Sequence, residues 1–193
     1  MDVEGFGRYG RINPNKIRIR RGMYEALERA FAAAQVPWNA CQYADLGDGV
    51  LVLVPAYLPK TPFVDQLPGA LAEELAAHND GHPPAERMRL RLALHAGEVT
   101  YDDYGVTGSS ILHAQRLLDA PALKRALANS SAVLAVIASS WFYEEVVRQS
   151  ERSRADTYRP ADLAGEEVSV VAWIRLLAAR RRALTRSRRA RAS

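Results

Sequence analysis

The alternation of apolar and polar residues along the chain predicts a mixed series of strands and helices. Apolar residues recur at helical spacing in residues 15–34 and again in 63–81, so each segment is predicted to form a helix with one buried face. Residues 87–95 instead alternate between apolar residues and the arginines Arg87, Arg89 and Arg91, which is typical of a strand with one face in the core and the other polar. The residues predicted to face the core on this strand are Met88, Leu90, Leu92 and Leu94.

The remaining segments extend this series to an α+β fold. Two extended runs on either side of a Gly-Asp-Gly turn predict a β-hairpin. We expect the hairpin arms at 38–44 and 50–55, strands near 99–101, 133–138 and 168–173, and helices from 109 onward, at 121–128 and at 141–149. The order β-α-β-β-α-β, followed by α-β-α-β, predicts an α/β sandwich with a ferredoxin-like βαββαβ core and a C-terminal α-β extension.

Two aspartates lie in turns beside apolar segments. Asp2 belongs to Asp-Val-Glu-Gly-Phe near the start, and Asp48 is the central residue of the Gly-Asp-Gly hairpin turn. If the first strand and the hairpin are neighbours in one sheet, both carboxylates project from the same sheet end. A divalent cation such as Mg²⁺ or Mn²⁺ would then relieve their repulsion. In the alternative interpretation, each aspartate only forms a turn and accepts hydrogen bonds from backbone N–H groups.

The order of four short motifs resembles the catalytic domain of class III adenylate/guanylate cyclases. Residues 2–6 match the family's Asp-apolar-any-Gly-Phe opening, and residues 47–48 match its Gly-Asp hairpin turn. Residues 95–99 match a strand that ends in His-x-Gly-x-Val, and residues 108–117 match Gly-x-x-Val-Asn-x-Ala-x-Arg-Leu at the start of a helix. The resemblance extends from the first motif to about Trp173.

The resemblance implies a set of metal, phosphate and catalytic residues. Asp2 and Asp48 would hold two Mg²⁺ or Mn²⁺ ions that bind a nucleoside triphosphate. The triphosphate loop would consist of Val3, Gly5, Phe6 and Gly7. In the family, an Asn that orients the ribose and an Arg that neutralises developing phosphate charge come from the partner subunit. The arginine is Arg116 here, but the Asn position is Leu112, whose side chain cannot form a hydrogen bond.

The positions that read the base in the resembled cyclases also differ. They correspond to Ala44 and Gly105, and neither residue can read a purine edge. The polar residues close enough to substitute in a shifted register are Tyr43, Asp45, Asp102 and Asp103. The identity of the nucleotide therefore stays open and includes pyrimidine triphosphates.

Two functional interpretations follow from these matches and departures. The first is a nucleotidyl cyclase homologue that binds a metal–nucleoside triphosphate and forms a 3′,5′-cyclic nucleotide, as a homodimer or as a heterodimer with a complementary subunit. The second is a catalytically inactive cyclase-homology module that serves as a sensor or interaction domain. Asp2, Asp48 and Arg116 favour the first interpretation, whereas the departures at the Asn and base positions favour the second.

Charge and composition divide the chain into a domain at 1–174 and a tail at 175–193. The tail holds eight arginines and no acidic residue, so removing their charge from the total of +4 leaves −4 for the domain. We expect the tail to be disordered or a frayed helix that could touch nucleic acid, anionic lipid or a partner. Without a recognisable nucleic-acid module, no specific DNA or RNA partner is expected. A single cysteine, Cys41, and the lack of a membrane-length apolar run predict a cytoplasmic domain without a membrane span.

The first strand is short at its beginning. Only Met1 precedes Asp2, whereas in the resembled domains several apolar residues precede the metal aspartate. A central strand normally has about five or six residues. We therefore expect the natural translation start to lie upstream, or this chain to be less stable than a longer form.

Overall fold

A computed structural model describes residues 1–163 and 170–178 of the chain. The strands are β1 (Asp2–Val3), β2 (Gln42–Asp45), β3 (Val50–Leu53), β4 (Leu90–Leu94), β5 (Thr100–Asp102), β6 (Gly105–Thr107), β7 (Leu134–Ser139), β8 (Arg159–Leu163) and β9 (Val170–Leu177). The helices are α1 (Asn13–Ala33), α2 (Pro62–Asp65), α3 (Leu67–Gly81), α4 (Ser109–Asp119), α5 (Pro121–Ala128) and α6 (Ser140–Phe142), which continues as a π-helical turn (Tyr143–Val147). This mixture of helices and a mixed sheet confirms the α+β class.

The main sheet of the described residues has the strand order β1-β4-β7-β9-β8. β4 and β7 run parallel, and the other neighbouring pairs are antiparallel. β2 with β3, and β5 with β6, form separate antiparallel hairpins. A single bridge between Asp2 and Gly49 joins β1 to the first hairpin. The short β1 therefore lies between β4 and the turn of the β2–β3 hairpin.

Helices cover both faces of the sheet. The predicted core face of β4 is buried, and its leucines join an apolar cluster with α1 and α3. On the opposite face, α4 and α5 pack with Ala135 and Ile137 of β7 in a second cluster. All six residues of β7 are buried, because β4 and β9 flank this strand and helices cover both faces of the sheet.

α1 is the longest helix, and its buried residues follow the predicted spacing. Gly22 lies on its buried face, where a Cβ atom would come within 2.4 Å of Cε1 of His78, so this glycine allows α1 to pack closely on α3. The helix ends where Gln35 adopts the left-handed conformation, with φ of 57°. The N–H of Val36 then donates to the carbonyl of Phe31 over 2.9 Å, which closes the last turn.

Several segments differ from the sequence expectation. The helix predicted at 63–81 divides into α2 and α3, and β6 was not predicted. The hairpin arm predicted from residue 38 begins only at Gln42, because Trp38–Ala40 forms a 3₁₀ turn that packs the Trp38 ring edge-on against Phe31. β8 was not predicted, since it contains Pro160, which a strand tolerates at the edge of a sheet. β9 runs to Leu177, three residues past the expected domain boundary at 174.

The expected tail lies mostly outside the described residues, at 179–193. Arg175, its first arginine, lies within β9 and donates from Nη1 to the carbonyl of Ser153 over 2.9 Å. Within the described residues, no helix combines the length and apolar character needed to cross a membrane.

Candidate functional site

The two aspartates of the acidic turns are neighbours across the contact between β1 and the first hairpin. The N–H of Val3 donates to the carbonyl of Asp48 over 2.8 Å, next to the bridge between Asp2 and Gly49. The structure thus brings together the two residues predicted to bind metal. Their surroundings differ, because the Asp2 side chain is largely buried and Asp48 is exposed.

A close backbone approach at Gly49 makes this contact possible. A Cβ atom on residue 49 would lie 2.2 Å from the carbonyl oxygen of Met1 and 2.9 Å from the Cα atom of Asp2. The second glycine of Gly-Asp-Gly therefore has a role beyond turn formation, because no side chain fits between the hairpin and β1.

Asp2 is bound by an arginine that the sequence analysis did not assign to it. Arg91 donates from Nε to Oδ1 over 2.8 Å and from Nη2 to Oδ2 over 2.6 Å. The Asp2 and Arg91 side chains are only 14% and 11% exposed. Burial raises the pKa of the Asp2 carboxyl above its usual value, and the hydrogen bonds and charge of Arg91 act in the opposite direction. The pairing follows from the sheet register, in which Asp2 lies directly opposite Arg91.

This arrangement does not fit a two-ion metal centre. Both oxygens of the Asp2 carboxylate bind a guanidinium, which has already compensated the carboxylate charge. In the described part of the chain, no group of three or more histidine, cysteine, aspartate or glutamate side chains is arranged to hold a metal ion. Mg²⁺ or Mn²⁺ binding therefore stays a prediction from the resemblance.

The loop predicted to hold the triphosphate is closed by its own hydrogen bonds. The carbonyl of Val3 accepts from the N–H of Phe6 over 3.3 Å, and the carbonyl of Gly5 accepts from the N–H of Arg8 over 3.1 Å. Arg11 also donates from Nη1 to the Gly5 carbonyl over 2.9 Å. Val3 itself is buried in the core, whereas Gly7 is exposed. The Val3 carbonyl of the predicted triphosphate loop is thus already an acceptor within a turn.

The base-reading positions are exposed, and three of the four nearby polar residues, Tyr43, Asp45 and Asp102, have structural contacts. Ala44 lies on β2 and Gly105 on β6, both at the surface. The Oδ1 atom of Asp102 accepts from the N–H groups of Tyr104 and Gly105, over 2.8 and 3.0 Å, and so forms the β5–β6 turn. The Tyr43 ring stacks on Trp38, with ring centroids 5.2 Å apart.

Asp45 joins the first hairpin to α1. It accepts hydrogen bonds from Arg20, from the hydroxyl of Tyr24 over 2.7 Å, and from the N–H of Gly47 over 2.7 Å. These bonds, with that from Arg20 the largest contribution, lower the pKa of Asp45 to about 2. Asp45 therefore holds the first hairpin against α1. A residue that reads a base needs free hydrogen-bonding groups, whereas the carboxylate of Asp45 already accepts these bonds.

The lowered pKa of Asp45 leads to a prediction about acid stability. A carboxyl with a lowered folded-state pKa stabilises the fold above its usual value of 3.8, and that contribution disappears as the pH falls toward about 2. We expect the melting temperature of the wild type to fall between pH 5 and pH 2.5 by more than that of Asp45→Asn. Thermal denaturation followed by circular dichroism at both values checks this. Equal losses in the two proteins would contradict it.

α4 carries the two residues predicted to act across a dimer. Leu112 and Arg116 are both exposed and lie one turn apart on the same face of this helix. The side of α4 that faces its own chain instead includes Ile111, Ala114 and Leu118. Leu112 is 56% exposed and places an apolar side chain at the surface where the resembled cyclases have the ribose-orienting amide.

A groove of about 1010 Å³ lies between the first hairpin, α4 and the segment after β4. Its lining is mostly apolar and includes Val52, Leu94 and the half-exposed Trp141. His95 is one of its polar residues, and two contacts position it: Nδ1 lies 2.9 Å from Oγ of Ser139, and its ring centroid lies 4.6 Å from that of His113. Burial and, to a lesser extent, His113 lower the pKa of His95. The His95 motif is visible in the sequence, but this groove is not, because its walls come from distant parts of the chain.

No protein-family model matches the chain, and no curated protein is significantly similar to it. Membership of the cyclase family therefore stays a prediction that rests on the four motifs.

Proposed function

We propose that this chain is a nucleotidyl cyclase-like domain that does not cyclise nucleotides by itself and serves as a ligand-sensing or interaction module. Leu112 carries this proposal. It lies exposed on α4, one turn before Arg116, at the position where catalysis in the resembled family requires an amide. Loss of a single positioning donor typically lowers kcat by about two to three orders of magnitude.

The arrangement of β1 supports the cyclase-like part of the proposal. β1 pairs antiparallel with β4 and bridges antiparallel to the hairpin, so it lies between them. The same relation is expected for the first strand of a ferredoxin-like βαββαβ core. The exposed face of α4 also supports a homodimer or heterodimer, because Leu112 and Arg116 face away from the groove of their own chain.

An active cyclase that requires a complementary subunit is the second candidate. Arg116 and Asp48 favour it, because both are exposed. The amide and arginine of a partner would then complete the site beside Asp48, whereas Arg116 would act in the partner's site.

A nucleotide turnover assay tests the proposal that the chain alone forms no cyclic nucleotide. Purified protein is incubated with Mn²⁺ and each of ATP, GTP, CTP and UTP, and products are resolved by liquid chromatography and mass spectrometry. We expect no 3′,5′-cyclic product above the protein-free control, with an active cyclase in the same buffer as positive control.

Two variants identify the source of any product. Cyclic nucleotide that disappears in Arg116→Ala but persists in Arg125→Ala, where an exposed arginine of α5 is removed, would overturn the proposal in favour of an active enzyme. Product that persists in both variants would be assigned to a contaminant, and the proposal would then stand.

A further inference from the structure

The cation beside Asp2 is part of the protein itself. We propose that Arg91 takes the place of a metal ion at Asp2, so that this chain holds the β1 carboxylate with a built-in guanidinium and binds no divalent cation there. The idea that this position once held a metal ion rests on the proposed cyclase-like function. The physical basis of the inference is the Asp2–Arg91 ion pair alone.

The contact geometry uses both carboxylate oxygens. Nε and Nη2 of Arg91 donate to Oδ1 and Oδ2 of Asp2 over 2.8 and 2.6 Å. This bidentate arrangement is the strongest way in which a side chain can bind a carboxylate, and it occupies the edge of the carboxylate from which a metal ion would be chelated. A divalent cation would therefore have to displace the guanidinium.

The position of Arg91 makes such a displacement costly. β4 lies between β1 and β7, and Arg91 pairs in register with Asp2 on one side and Ala135 on the other. With its side chain 11% exposed, Arg91 cannot turn toward solvent without leaving a nearly buried carboxylate unpaired. An exposed arginine on a mobile side chain would not impose this cost.

The second carboxylate does not restore a metal site. Asp48 is exposed and lies next to Asp2, so an ion bound between the two would lie close to the Arg91 charge in a largely buried environment. Repulsion between like charges is strong where water is excluded. One exposed carboxylate alone supplies too few oxygen ligands for selective binding of Mg²⁺ or Mn²⁺.

A neighbouring arginine provides a matched control. Arg89 lies two residues before Arg91, directly ahead of the first residue of β4, and its Nη2 lies 3.3 Å from Oε2 of Glu4. Its Nη1 donates to the carbonyls of Leu127 and Ser130 over 3.0 and 3.1 Å. Arg89→Gln thus removes the same charge close to Arg91 without touching the Asp2 carboxylate.

The test measures Mn²⁺ binding directly, by electron paramagnetic resonance with the full chain and without nucleotide. We expect Asp2→Asn to leave the Mn²⁺ binding of the wild type unchanged, since Asp2 binds no metal. Arg91→Gln should gain Mn²⁺ binding at least tenfold tighter than that of wild type or Arg89→Gln, and Asp2→Asn/Arg91→Gln should lose the gain. Saturating Mn²⁺ should also raise the melting temperature of Arg91→Gln by about 3 °C and leave that of wild type unchanged.

Two results would overturn the inference. The first is Mn²⁺ binding by the wild type that weakens tenfold or more in Asp2→Asn, because Asp2 would then be a metal ligand despite Arg91. The second is a folded Arg91→Gln that gains no binding, because the guanidinium would then not occupy a metal position. The wild-type comparison does not depend on the folding of the Arg91 variant. Since no nucleotide is present, neither result depends on the turnover assay, which tests the proposed function.

Discussion

Arg91→Met is expected to lower the free energy of unfolding by about 3 kcal/mol, because it leaves the largely buried carboxylate of Asp2 without its cation. This value is at the lower end of the range for removing one partner of a buried ion pair, since 14% of the Asp2 side chain stays in contact with solvent. Urea denaturation followed by tryptophan fluorescence and circular dichroism measures the loss.

Two control variants separate the lost ion pair from lost packing. Asp2→Val/Arg91→Met replaces both charges with apolar groups and should recover most of the stability, because neither partner is then buried without compensation. Arg87→Met removes an exposed arginine near the same strand and should change the free energy of unfolding by less than about 1 kcal/mol. A double variant as unstable as Arg91→Met would show that packing of the arginine stem causes the loss.

The helices and the central strands were predictable because their signals are local. α1 and α5 lie within two residues of their expected bounds, since apolar spacing and proline at the first turn are both visible in the sequence. The core face of β4 was also correct, because strand alternation depends only on burial of one face. β8 was missed because it is an exposed edge strand that contains a proline, so it carries neither signal.

The candidate site was only half predictable from the sequence. The neighbourhood of Asp2 and Asp48 followed from two turn motifs and one assumption about strand order. Arg91 was expected on the polar face of its strand, but its partner depends on the register between two strands that are far apart in the chain. A single-residue shift of this register would place Asp2 opposite a leucine instead. A motif match finds residue types and therefore does not find an ion pair that fills the predicted metal position.

Residues that a motif identifies as available for recognition also proved to have structural contacts. Asp45 joins the first hairpin to α1, and Asp102 forms the turn of the second hairpin. Such contacts cannot be seen in the sequence, because Tyr24 lies far from Asp45 along the chain. These contacts make it less favourable for Asp45 or Asp102 to bind a nucleotide base in place of the usual base-reading residues. Binding a base would first require the existing hydrogen bonds to break.

Gly49→Ala is expected to lower the free energy of unfolding by about 1–3 kcal/mol, because the new methyl group would collide with the backbone of β1. Backbone atoms at 2.2 and 2.9 Å cannot move aside as a flexible side chain could, so the hairpin and β1 must separate.

Gly69→Ala in α3 is the matched control, since its Cβ would meet nothing within 4 Å, and it should be neutral or stabilising by up to about 1 kcal/mol. Urea denaturation measures both effects, and hydrogen exchange at the Val3 and Val50 amides should increase in Gly49→Ala alone, because these N–H groups bond across the contact. Wild-type stability and amide protection in Gly49→Ala would show that β1 is not held against the hairpin in this way, and that the two aspartates are not fixed neighbours.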